Sequence, residues 1–565
     1  MRRCPRNPFA ARRPLLQAAL LLLAVQPVHA DVRPDAGDAA RAAAPPRVWP
    51  VPAPDGGLML PRRTDDPADA APIEDPTPIP VRRVRVTGST LFSAQALEAQ
   101  VADLNEGTRT VGDLARGAAR ITRFYRDRGW PLVRAVLPPQ TVRDGDVEIH
   151  VIEGRLADVR LQVDPGSRIR ASVIENRLAT LPRGEPLNQA EVDRALLLLS
   201  DLPGGRVKAH LQAGAQTGDT LLTVEAAPAP LVSGRIEADN HGSRYTGERR
   251  VGGAVTLDSP TGHGESISAR LLASEDDLYY GRLGAELPVG ASGLATALSV
   301  THTQYALGSE FAALDARGQA NVAEWQLSYP LVRSTGVNIT AQAGVERRRL
   351  SDEIRATDTS TGKRATHYTL QVMLSARDDI GAGGDTRVAL RVGRGRLSFS
   401  SPSAAVIDSL SARTAGRYST LNLDVQRNQR VGGGWGVLMS LSGQLASRNL
   451  DSYQKFVLGG VGGLRGYPSG EAVGDEGWLA SGELYYARDP SLIPSVFLSA
   501  GGVRLNETPF LDGSNRRSLR SHGVALRGHW RAMDWHVAIA GHGSEQAQSE
   551  PDRSVRAWVQ LGWAF

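Results

Sequence analysis

One glycine-rich segment holds the residues of this chain best placed to make a specific polar contact. Residues 457–468 read VLGGVGGLRGYP and contain Leu464, Arg465, Gly466 and Tyr467 in succession. Glycine permits backbone turns that other residues resist. The segment could therefore fold back into an enclosed space, where Arg465 would need an anionic or acceptor-rich partner because an unpaired buried charge is costly. The alternative is a flexible external loop with one incidental arginine.

Sequence motifs for catalysis are absent. The chain has no nucleotide-binding loop ending in GK[ST], no HExxH, no EF-hand loop and no GxSxG. Its 11 histidines are dispersed, and Cys4 is its single cysteine, which excludes a disulfide framework and a cysteine zinc site. The 65 basic residues are scattered among 60 acidic ones. We therefore predict no enzyme activity, no catalytic residue, no metal, no cofactor and no nucleic-acid partner.

The elements that must position the glycine-rich segment lie in residues 230–565, where short runs alternate apolar and polar residues. In the last run, one face consists of Val555, Ala557, Val559, Leu561, Trp563 and Phe565. About sixteen such antiparallel strands predict a transmembrane β-barrel with lipid outside and water inside. A soluble β-sandwich also alternates and is the alternative. Outside residues 15–30, no stretch approaches the roughly 18–20 apolar residues of a membrane-spanning helix.

Two small α/β units precede the predicted barrel, at residues 81–154 and 155–229. Each shows the order strand, helix, helix, strand, strand, which indicates a repeat. In the first unit Thr110 and Asp113 have the spacing of a helix capping box. Sheets of this size leave exposed edges, to which an extended peptide could add as a strand. The alternative is that the units are spacers.

The amino terminus has the pattern of a secretory signal peptide at residues 1–30: a basic start, an apolar core and small residues before a cleavage site. Residues 31–80 are rich in proline and alanine, which predicts an extended linker. Only residues 38–44 could form a short helical turn. A short plugging segment is the alternative function for this linker.

Several motifs give the chain a family resemblance. They are VTGST at 86–90, YRDRGW at 125–130, LPPQ at 137–140, VIEGR at 151–155, DNHGS at 239–243, YTG at 245–247, DSPTGHG at 258–264 and LRGY at 464–467. With them, residues 81–565 resemble the two-partner secretion transporters, outer-membrane pores that export large adhesins and haemolysins.

The resemblance implies two periplasmic α+β domains of the polypeptide-transport-associated (POTRA) type and then a sixteen-stranded barrel. It implies that the loop around residues 457–475 folds inward. Tyr125, Gly129, Glu153 and Gly154 match the POTRA motif, and Phe565 matches a carboxy-terminal signal read by the barrel assembly machinery. The implied partners are the lipid outer membrane and a large secreted protein whose amino-terminal secretion domain docks on the POTRA domains.

Arg465 matches the arginine that anchors this loop to the barrel wall in the family. The wall there often carries Phe-x-Asp-x-Gly, but this sequence has Ser499 at the aspartate position. We expect the partner of Arg465 to be either Ser499, whose hydroxyl could accept a hydrogen bond, or an acid such as Glu483. Some members also have a pore helix at the amino terminus, and we expect the proline-dense segment 31–80 to be poorly suited to one. The alternative function is insertion of other proteins into the outer membrane, as in BamA-like relatives.

Overall fold

The computed structural model describes residues 34–44, 75–489 and 491–565. The predicted signal peptide at 1–30 and most of the predicted linker at 31–80 lie outside these residues. The first described element is helix α1, Ala36–Ala43. Two α/β units and a closed barrel follow it in chain order.

The first α/β unit is built on a three-stranded sheet of order β2-β5-β4. Its elements are β1 (Pro78–Val81), β2 (Arg83–Thr87), α2 (Ala94–Glu98), a 3-10 helix (Ala99–Leu104), β3 (Gly107–Thr110), α3 (Val111–Arg126), β4 (Arg134–Val136) and β5 (Asp146–Ile152). Thr110 and Asp113 form the predicted capping box at the start of α3. The buried face of α3 contributes Ile121 and Tyr125 to the core of this unit.

The second α/β unit repeats the order strand, helix, helix, strand, strand, without counterparts of β1 and β3. It consists of β6 (Arg155–Val163), α4 (Ala171–Leu178), α5 (Gln189–Ser200), β7 (Gly205–Ala213) and β8 (Asp219–Pro228). The sheet order is β6-β8-β7, with β6 parallel and β7 antiparallel to β8. Leu196, Leu199 and Leu222 are fully buried between the helices and the sheet, so each unit has its own core.

Sixteen antiparallel strands close into a barrel, which confirms the predicted architecture. They are β9 (Val232–Asp239), β10 (Arg250–Asp258), β11 (Ser266–Ser274), β12 (Tyr279–Val289), β13 (Leu294–Ala306), β14 (Ala316–Arg333), β15 (Val337–Ile354), β16 (Thr359–Asp378), β17 (Gly384–Phe399), β18 (Gly416–Gly432), β19 (Trp435–Ala446), β22 (Glu476–Tyr486), β23 (Ile493–Arg504), β24 (Arg516–Trp530), β25 (Met533–His542) and β26 (Val555–Ala564). Helix α6 (Pro402–Leu410) lies between β17 and β18. Strands β20 (Phe456–Val457) and β21 (Val473–Gly474) pair with each other in the connection between β19 and β22.

The outer surface of the barrel is apolar. Leu271, Leu370 and Leu498 expose 69%, 65% and 70% of their surface there. An outward apolar band is the surface that a membrane barrel presents to lipid. Connections near the α/β units are short, as at 334–336, whereas long ones such as 447–475 lie at the opposite end. Among the helices in the described ranges, none is both long and apolar enough to cross a membrane.

Helix α1 lies inside the barrel, which corrects the expectation that segment 31–80 is poorly suited to a pore helix. Its buried alanines pack against inward side chains that include Tyr305 and Leu350. The helix forms because prolines flank the run at Pro34 and Pro45 without interrupting it, and because Asp35 caps its first turn.

Candidate functional site

The connection between β19 and β22 folds back into the barrel. Leu458, Leu464 and Tyr467 on this inward loop, residues 447–475, are completely buried. They pack with Val503 and Leu519 of the wall strands β23 and β24. At the tip, any side chain at Gly466 would overlap the carbonyl of Gly541 on β25, so only glycine permits this approach.

Arg465 at the loop tip forms an ion pair with Glu483 on β22. Both terminal nitrogens of the arginine donate to Glu483 Oε2 at 3.1 Å. The guanidinium carbon lies 4.2 Å from the centroid of the Phe497 ring, a cation–π arrangement. Trp558 Nε1 donates to the carbonyl oxygen of Arg465 at 2.7 Å. The two charged side chains are 21% and 8% exposed, so the pair is largely desolvated.

The strand register explains why Glu483, and not Ser499, receives the arginine. Glu483 and Phe497 are cross-strand neighbours on β22 and β23, and Arg465 contacts both. Ser499 lies two residues further along β23, paired with Ser481. As a correction to the sequence analysis, the structure does not bring Ser499 to Arg465; the carboxylate of Glu483 supplies the charge.

The residues that flank Arg465 are also held by the wall. The N–H of Gly466 donates to Ser521 Oγ at 2.8 Å, and the Tyr467 hydroxyl donates to the carbonyl oxygen of Glu545 at 2.8 Å. The Tyr467 ring lies 5.4 Å from that of His542. The tip therefore contacts β22, β23, β24, β25, β26 and the connection after β25.

Two buried acids further along the inward loop were not predicted from the sequence. Glu471 and Asp475 are both 0% exposed. Glu471 accepts hydrogen bonds from Ser549 N at 2.9 Å and from Arg517, while Asp475 pairs with Lys455 Nζ at 2.9 Å. Their only sequence signal was their presence beside the glycine-rich segment. Glu471 thus ties the inward loop to the connection between β25 and β26, and Asp475 ties it to the connection between β23 and β24 by accepting from Glu507 N at 2.8 Å.

Charged side chains attach the amino-terminal end of α1 to the barrel wall and to the inward loop. Lys363 Nζ on β16 lies 2.6 Å from Asp35 Oδ2 and 2.6 Å from Asp451 Oδ1 of the inward loop. The first helical N–H, that of Ala36, donates to Asp352 Oδ1 on β15 at 2.8 Å. The helix is therefore attached to both the wall and the inward loop.

The predicted POTRA residues Tyr125 and Glu153 form a hydrogen-bonded cluster in the first unit. The Tyr125 hydroxyl lies 3.0 Å from Glu153 Oε1, which also accepts from the backbone N–H groups of Thr90 and Leu91 at 2.9 and 3.0 Å. Burial raises the pKa of the Glu153 carboxyl, but these hydrogen bonds outweigh burial and hold the pKa below its usual range. Burial raises the pKa of Tyr125 to about 12. The cluster fastens residues 89–91 to the end of β5.

The predicted POTRA glycines lie at the junction of the two units. The carbonyl of Gly129 accepts from Gln189 N at 2.9 Å, and that of Gly154 accepts from Leu187 N at 3.0 Å. Gly129 has φ +87°, a left-handed conformation that favours glycine. A side chain at Gly154 would overlap Leu132. These glycines thus allow the first unit to hydrogen-bond to the start of α5.

The second unit is joined to the barrel by a bidentate arginine–carboxylate pair. Arg333 at the end of β14 donates to both carboxylate oxygens of Asp201 at 2.8 Å. Arg194 on α5 donates to the carbonyl oxygen of Pro330 at 2.9 Å. Bidentate arginine–carboxylate pairs fix orientation as well as distance. No local sequence pattern indicated this contact, because its partners are more than 100 residues apart.

Phe565 lies at the seam where the barrel closes. Strands β26 and β9 pair over five residues, Gln560 to Ala564, whereas β14 and β15 pair over 17 positions. The backbone of Phe565 extends the seam by exchanging two hydrogen bonds with Gly234, at 2.9 and 3.0 Å. Its ring is 55% exposed on the outer surface.

The site is built from ion pairs and hydrogen bonds between separate segments of the chain. Over residues 34–44, 75–489 and 491–565, no group of three or more His, Cys, Asp or Glu side chains could hold a metal ion. Lys363, Arg465 and Arg517 each pair with an acid from another segment of the chain.

Comparison with known proteins supports this description. The family model for haemolysin secretion/activation protein ShlB/FhaC/HecB matches residues 218–524, and the model for the ShlB-type POTRA domain matches residues 79–154. The heme/hemopexin transporter protein HuxB of Haemophilus influenzae is 24% identical over 423 residues, or 74% of each chain. The outer membrane transporter CdiB of Dickeya dadantii is 22% identical over 503 residues, or 86% of each chain.

Among solved structures, CdiB from Escherichia coli superposes with a TM-score of 0.69 at 17% identity. The match covers 89% of this chain and 94% of that chain. At this identity the likeness establishes the fold.

Proposed function

Because the chain belongs to the haemolysin secretion/activation protein family ShlB/FhaC/HecB, we propose that it exports one dedicated large exoprotein from the periplasm to the cell surface by two-partner secretion. It is an outer-membrane β-barrel transporter with a POTRA domain at its amino-terminal, periplasmic side. The observation that carries the proposal is the inward loop, whose tip places the Arg465–Glu483 pair inside a closed barrel.

We further propose the domain division 1–30 signal peptide, 31–80 linker with a pore helix, 81–154 and 155–229 POTRA domains, and 230–565 barrel. The second α/β unit repeats the element order of the first, which supports its assignment as a second POTRA domain. Phe565 then acts as the carboxy-terminal signal for the barrel assembly machinery.

Capture of the exported chain on the periplasmic side is proposed to occur by strand addition. Strands β6 and β7 are the edges of the second sheet, and β7 is nine residues long. An extended segment of the exoprotein can pair with such an edge through its backbone, with little dependence on sequence. Since the sequence has no nucleotide-binding motif, folding of the exoprotein outside the cell supplies the driving force.

Helix α1 is proposed to occupy the pore at rest and to leave it before export. It contacts β13, β14 and β15 through small alanine side chains and is anchored chiefly at Asp35. Alanine methyl groups bury little apolar area, so withdrawal of the helix costs less than removal of a helix with large side chains.

The alternative is an insertase for outer-membrane proteins of the BamA-like class. The two functions differ in what is lost when the gene is deleted. We expect the culture medium to lose one large protein while the other outer-membrane barrels keep their normal amounts, and a plasmid copy to restore that protein. A general decrease in barrel proteins, with an unchanged medium, would instead support the insertase.

A further inference from the structure

Six arginines form a patch on the outer wall of the barrel. They lie on four adjacent strands, β15 to β18, and all six are exposed: Arg347, Arg349, Arg364, Arg394, Arg396 and Arg417. Their outward direction follows from their neighbours along each strand. Arg348, Lys363 and Tyr418 point inward, to Tyr453, Asp35 and His367. Because side chains alternate along a strand, the residues on either side of them point outward.

The strand register places the six guanidinium groups side by side. One row across the wall contains Arg347, Thr366, Arg396 and Arg417. The next row away from the α/β units pairs Arg349 with Arg364. Arg394 lies in the row on the other side, paired with Tyr368. Neighbouring strands are about 4.8 Å apart, so arginine side chains on adjacent strands can reach a common ligand.

No acid neutralises this patch from the same surface. The remaining outward positions of the three rows on these strands are Val345, Thr366, Tyr368, Ser398 and Ser419. Within the described part of the chain, none of the six arginines takes part in an ion pair, whereas most arginines of the barrel interior do. Six like charges this close repel one another unless an anion is bound.

The patch lies directly beyond the apolar band, on the side away from the α/β units. The two rows below Arg394 hold Leu370, Val392 and Leu421, and then Val372, Leu390 and Leu423. Tyr368 and Trp325 are 60% and 43% exposed in the row of Arg394, where aromatic residues mark the membrane interface. In an outer-membrane protein with periplasmic α/β units, this height is the headgroup level of the outer leaflet.

We propose that this patch binds the phosphorylated sugar headgroup of an outer-leaflet glycolipid, the bisphosphorylated lipid A portion of lipopolysaccharide. Guanidinium groups pair with phosphate in a bidentate manner, and several on one surface can hold two phosphates at once. The acyl chains of the same molecule would lie against the apolar rows below. The proposal goes beyond export and rests on the outer-membrane location of the barrel.

The test measures lipid binding to the purified full chain in detergent micelles. Bisphosphorylated lipid A is titrated in, and bound lipid is counted by native mass spectrometry. The wild type should retain lipid A, and the variant Arg394→Gln/Arg396→Gln/Arg417→Gln should bind it on the order of 100-fold more weakly. The matched control is Arg516→Gln/Arg520→Gln, which removes two exposed arginines from the same end of β24 and should leave binding unchanged.

Folding and lipid identity are controlled separately. The heat-dependent shift of the barrel in gel electrophoresis shows whether each variant is folded, and a second variant, Arg347→Gln/Arg349→Gln/Arg364→Gln, probes the other half of the patch. Equal lipid A binding by the wild type and by either folded variant would overturn the proposal. Equal affinity for phosphatidylglycerol would also overturn it, since one phosphate would then suffice. No exported protein is present, so failure of this test leaves the proposed export function unaffected.

Discussion

The inward loop and helix α1 both occupy the barrel interior, but they are attached in different ways. The loop is joined covalently to β19 and β22, and its tip combines large buried side chains with the Arg465–Glu483 pair. Helix α1 presents four buried alanines and is held at its first turn by Asp35 and Ala36. Towards its other end, Arg41 donates to the carbonyl oxygen of Ser452, and Arg250 donates to that of Ala42. The difference fits the proposal that the helix leaves the pore while the loop stays attached to the wall.

The largest expected effect comes from breaking the loop anchor. Arg465→Ala removes the close partner of the buried Glu483 and leaves it only Arg527, whose Nη1 lies 3.8 Å from the other carboxylate oxygen. Loss of one partner of a buried pair costs up to about 3–5 kcal/mol. We expect secretion to fall sharply while the barrel still inserts in the membrane. The exchange Arg465→Glu/Glu483→Arg should recover part of the secretion, as measured by the amount of exoprotein in the medium.

Ser499→Ala is the matched control for the loop anchor. Ser499 is 8% exposed in the same wall, but the loop tip pairs with Glu483. Its replacement should leave secretion near the wild-type level. A loss equal to that of Arg465→Ala would show that general damage to this wall, and not the ion pair, controls export.

A second, intermediate effect should come from releasing α1. Asp35→Ala removes both the cap of the helix and its pair with Lys363, and a lost cap alone costs about 0.5–2 kcal/mol. We expect a higher mean conductance in planar lipid bilayers, approaching that of a chain that lacks residues 34–44. Secretion should continue, because on the proposed function the helix leaves the pore before export.

Asp38→Ala is the control for this experiment. Asp38 is on the same helix and its salt bridge is to Arg41, within the helix, so the Lys363 anchor is retained. Its conductance should rise less than that of Asp35→Ala. If deletion of residues 34–44 left conductance unchanged, the proposal that α1 closes the pore would be wrong.

A third prediction concerns Glu153, a partly buried acid held by neutral donors, in contrast to Glu483, which is held by arginine. Because its folded-state pKa is below the ordinary value of 4.5, its contribution to stability is complete above that pH. The contribution declines as the pH falls through the lowered pKa. Glu153→Gln should therefore lower the stability of the first unit by about 1–2 kcal/mol at neutral pH.

The measurement for Glu153 is hydrogen exchange of residues 79–154 in the full chain, corrected for intrinsic rates. The difference between the wild type and Glu153→Gln should be present at pH 7 and should shrink below about pH 4. A difference that is constant over this range would mean that the charge of Glu153 contributes nothing. Glu148→Gln, at a half-exposed position on the same strand, is the control.

Much of the fold could be predicted from local patterns, and the parts that were missed depend on distant residues. The alternation of β26 and the capping box of α3 could be recognised because the residues that define each pattern are close together in the sequence. Glu483 could be named only as one candidate, since its choice over Ser499 depends on strand register. The family resemblance supplied the inward direction of the loop, which its glycines alone left open.

Helix α1 shows the limit of local prediction. Eight residues cannot form a stable helix in water, so propensity gives a weak signal. The helix exists because Asp352 and Lys363 meet its first turn and because the inward walls cover its alanines. These partners lie more than 300 residues away, beyond any pattern that can be read along the segment. The local sequence indicated only a short helical turn at residues 38–44, close to the observed helix Ala36–Ala43.

The smallest expected effect distinguishes the contribution of a helix cap from that of the Asp35–Lys363 ion pair. Helices α1 and α3 both begin with a capping box, Asp35 with Asp38 and Thr110 with Asp113, but α3 lies outside the barrel and has no lysine anchor. Thr110→Ala should cost about 1 kcal/mol, seen as faster hydrogen exchange in the first turn of α3. The first turn of α1 in Asp35→Ala should lose more protection than this, because it also loses the Lys363 pair. Equal losses at the two helices would mean that the Lys363 pair adds nothing to the protection that the cap gives.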